Sequence, residues 1–180
     1  MTYSSSTEQH KREAPARVSC RIITVSDTRT EDTDKSGQLI RQLLSDQGHA
    51  VAGHLIVPDD FDAIADLLQE AANDPTVEAV LLNGGTGIAA RDVTIEAVRS
   101  LLHKEMPGFG ELFRYLSFTE DIGPAAMLSR AVAGTIGRTA VFAMPGSTGA
   151  VFRNGPESVV VTVTGGRRPS YSVVASLLAG

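Results

Sequence analysis

A glycine-rich segment, Gly84-Gly85-Thr86-Gly87, has the clearest potential for chemistry in this sequence. It follows an apolar run of strand length at 77–82. Glycines let backbone N–H groups approach a ligand and point together, and ligands of open α/β sheets bind beyond the carboxyl ends of the strands. The segment therefore predicts a cradle for a phosphate or carboxylate, with an ordinary strand-ending turn as the alternative.

The segment differs from two common nucleotide-binding motifs. No Lys-Ser or Lys-Thr pair follows it, as a P-loop would require, and its glycines lack the spacing of a dinucleotide-binding fingerprint. The sequence therefore disfavours a P-loop ATPase and a standard dinucleotide dehydrogenase.

Two aspartates, Asp59 and Asp92, stand at predicted loop-to-helix junctions. In a parallel sheet both junctions lie at the carboxyl edge, close to the glycines. Mg²⁺ favours a few carboxylates combined with phosphate oxygens, so the pair could hold Mg²⁺ against a triphosphate. The alternative is that both aspartates are helix N-caps, which their spacing alone favours.

Other polar segments are candidates for the same edge. Ser26-Asp27 ends the first predicted strand, and Pro145-Gly146-Ser147 follows an apolar run as either a second anion-binding nest or a simple turn. Ser129-Arg130 offers a hydroxyl and a cation, although such a pair is usually just surface.

Strands and helices alternate through the first half of the chain. Apolar, β-branched runs predict strands over 17–25, 50–57 and 77–82. Helical spacing predicts three helices, which begin after Ser36, after Asp59 or Asp60, and at Asp92 or Thr94. This alternation predicts an α/β domain with a parallel sheet and right-handed crossovers.

The second half of the chain is less regular. We interpret 107–110 as a break, followed by a helix over 111–118. The runs 129–134 and 139–144 predict two strands that form a short β-hairpin around Gly137.

Composition restricts the class of protein further. The chain has 180 residues, of which 42% are hydrophobic and 21% charged, and this composition indicates one globular domain. Its formal net charge of −5 disfavours a broad surface for binding nucleic acid. No run is long enough to cross a membrane. The polar segment 1–16 predicts a disordered tail, and the lack of a signal peptide predicts a cytoplasmic protein.

Cysteine and histidine give no sign of a metal centre. The single cysteine, Cys20, lies in an apolar run and is predicted to be a buried side chain. The four histidines have no metal-ligand spacing with one another or with Cys20.

Six short segments occur in an order that closely resembles the MoaB/MogA family of molybdenum cofactor biosynthesis proteins. The resemblance covers 17–150, which is expected to be a molybdopterin-binding domain. The segments are Thr24-Val25-Ser26-Asp27, Asn83-Gly84-Gly85-Thr86-Gly87, Arg91-Asp92-Val93-Thr94, Met106-Pro107-Gly108-Phe109-Gly110-Glu111, Leu128-Ser129-Arg130 and Met144-Pro145-Gly146-Ser147.

The resemblance implies a three-layer α/β/α domain with a mostly parallel central sheet, assembled as a trimer or a hexamer. It implies that the protein binds molybdopterin, acts with other molybdenum cofactor biosynthesis proteins, and transfers AMP from ATP in the presence of Mg²⁺, releasing pyrophosphate. Asp59 and Asp92 match the two aspartates that matter in active members, so the resemblance implies catalytic, Mg²⁺-positioning roles for them. It also implies that the remaining candidates bind substrate: Ser26, Asp27, Gly84, Gly85, Thr86, Gly87, Ser129, Pro145, Gly146 and Ser147.

Two departures from the family pattern stand out. Asn83 occupies a position that is commonly Thr, and residues 151–180 form a divergent C-terminal segment where the family usually continues with an amphipathic helix. A non-catalytic scaffold that holds the pterin is therefore the alternative to an adenylyltransferase. A nucleotide-dependent oxidoreductase is a third hypothesis, disfavoured by the missing fingerprint.

Overall fold

The computed structural model describes residues 17–147, together with the backbone of 159–163 and 173–177. The predicted tail over 1–16 lies outside the described residues, as does most of the divergent C-terminal segment.

A six-stranded, mostly parallel sheet forms the centre of the fold. Its strands are β1 Ser19–Val25, β2 Ala50–Val57, β3 Ala79–Asn83, β4 Lys104–Glu105, β5 Val132–Ile136 and β6 Thr139–Met144. In the order β2-β1-β3-β6-β5-β4, the first four strands are parallel, while β5 runs antiparallel to both β6 and β4. The predicted parallel sheet and the β5–β6 hairpin, which turns at Gly137 with φ of 57°, are confirmed.

Helices cover both faces of the sheet. They are α1 Lys35–Asp46, α2 Phe61–Asn73, α3 Thr94–Leu101 and α4 Pro107–Leu116, followed by a π-helical turn at Ser117–Asp121 and a 3-10 helix at Gly123–Leu128. No helix within the described ranges is long and apolar enough to span a bilayer.

Two hydrophobic cores, one on each face, hold the layers together. Ile64 of α2 and Val98 of α3 pack on one side of the sheet, while Ile40 of α1 and Phe109 of α4 pack on the other. The three-layer α/β/α architecture is therefore confirmed.

The parallel register brings four strand ends to one edge. Thr24 of β1 lies opposite both Ile56 of β2 and Asn83 of β3, and Asn83 lies opposite Met144 of β6. The loops that leave these strands form what we call the carboxyl rim: 26–29, 58–60, 84–93 and 145–147.

Some element boundaries differ from those predicted. Asp34, not Ser36, caps α1, because the Asp34 carboxylate accepts the N–H of Gly37 at 3.0 Å. The segment predicted as a break begins α4, since Pro107 sits in the first turn, where no N–H is needed. Strand β5 begins at Val132, three residues later than predicted.

The C-terminal segment contributes two strands. β7 Val159–Val163 and β8 Val173–Leu177 pair antiparallel in a separate two-stranded sheet, with Val159 opposite Leu177. β7 falls within a run of valine and threonine, residues that favour strands over helices.

Candidate functional site

The loops of the carboxyl rim are joined to one another by backbone hydrogen bonds. The N–H of Ser26 donates to the carbonyl of Val57 at 2.8 Å, and the N–H of Gly84 donates to the carbonyl of Met144 at 3.1 Å. A Cβ placed on Gly146 would lie 2.9 Å from Cα of Gly84. The segments predicted from the sequence at this edge are therefore brought together.

Two residues of the glycine-rich loop are glycine for steric reasons. Gly84 and Gly85 have φ angles of 101° and 60°, in the left-handed region that favours glycine. A Cβ on Gly84 would collide with the carbonyl oxygen of Val25. A Cβ on Gly85 would lie 2.8 Å from both carboxylate oxygens of Asp59 and would overlap Oγ1 of Thr94.

Asp92 lies beneath the far end of the same loop. Its Oδ2 accepts the N–H of Ala89 at 2.9 Å and would lie only 2.5 Å from a Cβ on Gly87. Val93 is the N-cap residue of α3, with no side-chain capping bond, so the interpretation of Asp92 as a helix cap is wrong.

Asp59 also has a role other than capping its own helix. Asp60 caps α2 by accepting the N–H of Ala63 at 2.9 Å. Asp59 instead reaches across the rim and accepts the N–H of Val93, at the start of α3, at 3.1 Å. Its own N–H donates to Oδ1 of Asp27 at 3.0 Å. Asp59 therefore links three loops of the rim.

Negative charge accumulates around Asp59. Burial raises the pKa of this carboxyl, and the charges of Asp92 and Asp27 raise it further, against the lowering effects of the Val93 N–H and of Arg91. Within the described residues, none of the ion pairs involves Asp27, Asp59 or Asp92. We call these three side chains, Asp27, Asp59 and Asp92, the acidic cluster.

The acidic cluster fits Mg²⁺ in the chemistry of its donors. It offers only oxygen ligands, and the fully buried hydroxyl of Thr94 has no hydrogen-bond partner in the described part of the chain. No group of three or more His, Cys, Asp or Glu side chains among those residues is arranged to hold a metal. A cation here would therefore need further oxygens from water or a ligand, as Mg²⁺ commonly does.

The second predicted loop, Pro145-Gly146-Ser147, is held in place by Arg29. One guanidinium nitrogen donates to the carbonyl of Gly146 at 2.8 Å, and the other to Oδ1 of Asp34 at 3.3 Å and to the hydroxyl of Ser36. The hydroxyl of Ser26 accepts the N–H of Arg29 at 3.2 Å, which folds the loop after β1. Sequence reasoning missed Arg29, because Gly146 lies 117 positions away.

A buried polar network centred on Asp34 supports this arrangement. Burial alone would raise the pKa of Asp34, yet hydrogen bonds from Thr24, the Gly37 N–H, Ser36 and His54 hold it below its ordinary value. Since the carboxylate is ionised, Nε2 of His54, 2.9 Å from Oδ2, must carry the proton.

Asn83 joins this network to β3. Its side-chain N–H₂ donates to the Thr24 hydroxyl at 2.9 Å, while its Oδ1 is buried with no hydrogen-bond partner among the described residues. Because the Thr24 hydroxyl already donates to Asp34, the amide cannot be reversed to satisfy Oδ1. The departure from threonine therefore leaves one acceptor available beside the glycine-rich loop.

Ser129 and Arg130 make different contacts at the end of the 3-10 helix. The sequence favoured Ser129 as the pocket residue, but Arg130 is the side chain that reaches the glycine-rich loop, where it donates to the carbonyl of Thr86 at 3.0 Å. The N–H of Ser129 donates to Ala126, at the end of the 3-10 helix.

The buried cysteine is unrelated to the rim. Cys20 lies on β1, and burial, together with the charge of Glu78, raises the pKa of its thiol to about 12. A thiol that stays protonated at neutral pH is a poor nucleophile and metal ligand. The prediction of a structural side chain is confirmed.

Comparisons with known proteins agree with this geometry. A family described as "Probable molybdopterin binding domain" matches residues 21–163. The chain is 62% identical over 146 residues to the molybdenum cofactor biosynthesis protein B of Halalkalibacterium halodurans, covering 81% of this chain and 86% of that protein.

Two solved structures share the fold. The crystal structure of a molybdenum cofactor biosynthesis protein B matches with a TM-score of 0.74 and 59% identity, covering 76% of this chain and 85% of that one. The crystal structure of the molybdopterin biosynthesis enzyme MoaB from Thermus thermophilus matches with a TM-score of 0.66 and 38% identity, covering 74% and 84%.

Replacing Gly85 tests the steric requirement of the loop. Gly85→Ala should lower the free energy of unfolding by about 1–3 kcal/mol, because alanine would be strained at this φ and would press on Asp59 and Thr94. Gly108→Ala is the matched control: its Cβ would meet nothing within 4 Å in the first turn of α4. Urea unfolding of both variants provides the measurement, and equal losses would contradict the steric account.

The pH dependence of stability tests the electrostatics of Asp59. Since its pKa is raised above 3.8 in the folded state, its contribution to stability is present below that value and is lost as the pH rises through the folded pKa. Asp59→Asn should therefore stabilise the protein at neutral pH, with a gain that shrinks below pH about 4. Asp66→Asn, on the exposed face of α2, serves as control. A gain that does not change with pH would refute the argument.

Proposed function

Because the chain belongs to the molybdopterin-binding-domain family that includes molybdenum cofactor biosynthesis protein B, we propose that it binds molybdopterin and adenylylates it. In this reaction AMP passes from MgATP to the terminal phosphate of the pterin, and pyrophosphate is released. The observation on which the proposal depends is the acidic cluster, which forms no ion pair among the described residues, beside a loop whose backbone amides donate to no described group.

The free amides support a phosphate site. The N–H of Gly84 is occupied by the carbonyl of Met144. Those of Gly85, Thr86 and Gly87 donate to no group in the described part of the chain, so they are the donors left for a phosphate. This narrows the predicted cradle from four residues to three.

The pair Asp59 and Asp92 would hold Mg²⁺, with the Thr94 hydroxyl beside them. When bound, the ion would neutralise charge on the triphosphate, which is the main electrostatic demand of phosphoryl-type transfer. Both carboxylates are already fixed by backbone N–H groups, those of Val93 and Ala89, so little reorganisation is needed.

In the chemical step the protein positions the reactants and forms no covalent bond to them. A phosphate oxygen of the pterin attacks the α-phosphorus of ATP, a new P–O bond forms, and the bond to the oxygen bridging the α- and β-phosphates breaks as pyrophosphate leaves. We assign Pro145, Gly146 and Ser147 to the pterin phosphate, and Ser26, Asp27 and Ser129 to the lining of the pocket. Holding two anions in line is the contribution required of these loops.

We further propose that the chain forms a homo-oligomer, as a trimer or a hexamer, and acts with other molybdenum cofactor biosynthesis proteins. One surface supports the self-association. Large apolar side chains are exposed along α4, the π-helical turn and the 3-10 helix, including Met127 with 84% of its area accessible. The set is Tyr115, Phe118, Ile122, Met127 and Leu128. Exposed apolar patches of this kind commonly mark protein interfaces.

Replacing Asp92 tests the assigned chemistry. Asp92→Asn should keep the bond from the Ala89 N–H, and so the fold, yet reduce AMP transfer at least about 100-fold through the lost charge. Wild-type protein, molybdopterin and MgATP are mixed, and adenylated pterin and pyrophosphate are quantified, with Asp66→Asn as control. If Asp92→Asn turned over as fast as the wild type, Asp92 would have no catalytic role in AMP transfer. A wild-type protein that binds pterin but forms no AMP product would select the scaffold alternative.

The association state can be measured separately. Met127→Glu combined with Leu128→Glu should reduce the mass found by sedimentation to that of the 19.0 kDa monomer, because charge at a buried interface opposes association. Leu55→Glu, at a partly exposed position on β2, should leave the mass unchanged. A wild-type protein that sediments as a monomer would disprove the proposed homo-oligomer.

A further inference from the structure

Arg130 joins three parts of the region around the glycine-rich loop. Its Nε donates to the carbonyl of Thr86 at 3.0 Å, and its Nη2 donates to the carbonyl of Asp92 at 2.9 Å. The outer edge of the guanidinium pairs with both carboxylate oxygens of Glu96, in the first turn of α3.

These contacts fix the distance between the glycine-rich loop and the carboxylate of Asp92. Thr86 lies inside the loop, and Asp92 lies at the point where the chain enters α3. The planar guanidinium binds a carbonyl at each of these two points. It therefore holds the two ends of the segment 86–92 at a fixed separation. Lysine cannot replace it, since a single ammonium on a flexible stem lacks the fork of fixed donors.

The ion pair with Glu96 orients the guanidinium but adds little stability by itself. Both side chains are partly exposed, and ion pairs in such positions contribute little to stability. The hydrogen bond from Arg130 lowers the pKa of Glu96, so the carboxylate stays charged at neutral pH. Most of the N–H groups of Arg130 are thus directed at the protein and not at a ligand.

We propose that Arg130 is a positioning residue for AMP transfer, acting through the carbonyls of Thr86 and Asp92 to set the free amides of the loop against the Asp92 carboxylate. This inference rests on the proposed function. Because reacting groups that are misplaced by about 1 Å can lose roughly 100-fold in rate, removal of the guanidinium should lower kcat by that order. The KM for molybdopterin should change little, since the hydrogen bonds of Arg130 run to Thr86, Asp92 and Glu96.

The experiment compares Arg130→Ala and Arg130→Lys with Arg99→Ala as matched control. Arg99 also lies on the rim-proximal helix α3 and also pairs with a glutamate, Glu105, at 2.9 Å, but its contacts lie away from the loop. The measurements are kcat and KM for adenylated pterin, rescue by added guanidinium ion, and amide hydrogen exchange over 85–92.

The expected result is a selective loss of kcat in both Arg130 variants, partial recovery of Arg130→Ala with guanidinium, and faster exchange over 85–92. Arg99→Ala should show none of these effects. Full activity in Arg130→Ala would overturn the inference, as would a loss that follows global destabilisation and is not rescued. A wild-type protein that forms no adenylated pterin overturns the proposed function and this inference together. An active wild type with an unaffected variant overturns this inference alone.

Discussion

The contact between the Asp59 carboxylate and the backbone of the glycine-rich loop constrains the rest of the carboxyl rim. A Cβ on Gly85 would lie 2.8 Å from both carboxylate oxygens, so a side chain there would displace Asp59. The same carboxylate accepts the N–H of Val93, which fixes where α3 begins relative to β2. One acidic side chain therefore restricts the residue at position 85, fixes the start of a helix and contributes to the local charge.

Two arginines, Arg29 and Arg130, bind the rim loops without forming ion pairs with the acidic cluster. Arg29 and Arg130 donate to the carbonyls of Gly146, Thr86 and Asp92 and pair with Asp34 and Glu96, which lie outside the acidic cluster. Their guanidinium groups therefore order the loops without neutralising Asp59 or Asp92. These carboxylates, half-buried at Asp59 and Asp92 and exposed at Asp27, form no ion pair among the described residues, which supports the proposed binding of a cation.

Local sequence patterns predicted much of this fold, and long-range contacts account for what they missed. Apolar runs identified the strands β1, β2 and β3, and the glycines placed the loop, because each signal lies within a few residues. The arginines carry no periodic signal, since Arg130 meets Thr86 across 44 positions and Arg29 meets Gly146 across 117. Likewise the cap of α1 could be assigned to Asp34 rather than Ser36 only after the network around Thr24 was visible. The catalytic roles stay predictions.

The acidic cluster has a thermodynamic consequence for how the proposed ligands affect each other's binding. Free phosphate approaching the amides of Gly85, Thr86 and Gly87 is attracted by dipoles and repelled by carboxylates at the same time. A divalent ion bound there as proposed would remove that repulsion, so ion and polyphosphate would strengthen each other's binding by the same factor, as any coupled equilibrium requires. Protons compete for the ion's place at Asp59, whose pKa is raised. Acidification should therefore weaken binding of the proposed ion, and with it the ion's contribution to polyphosphate binding.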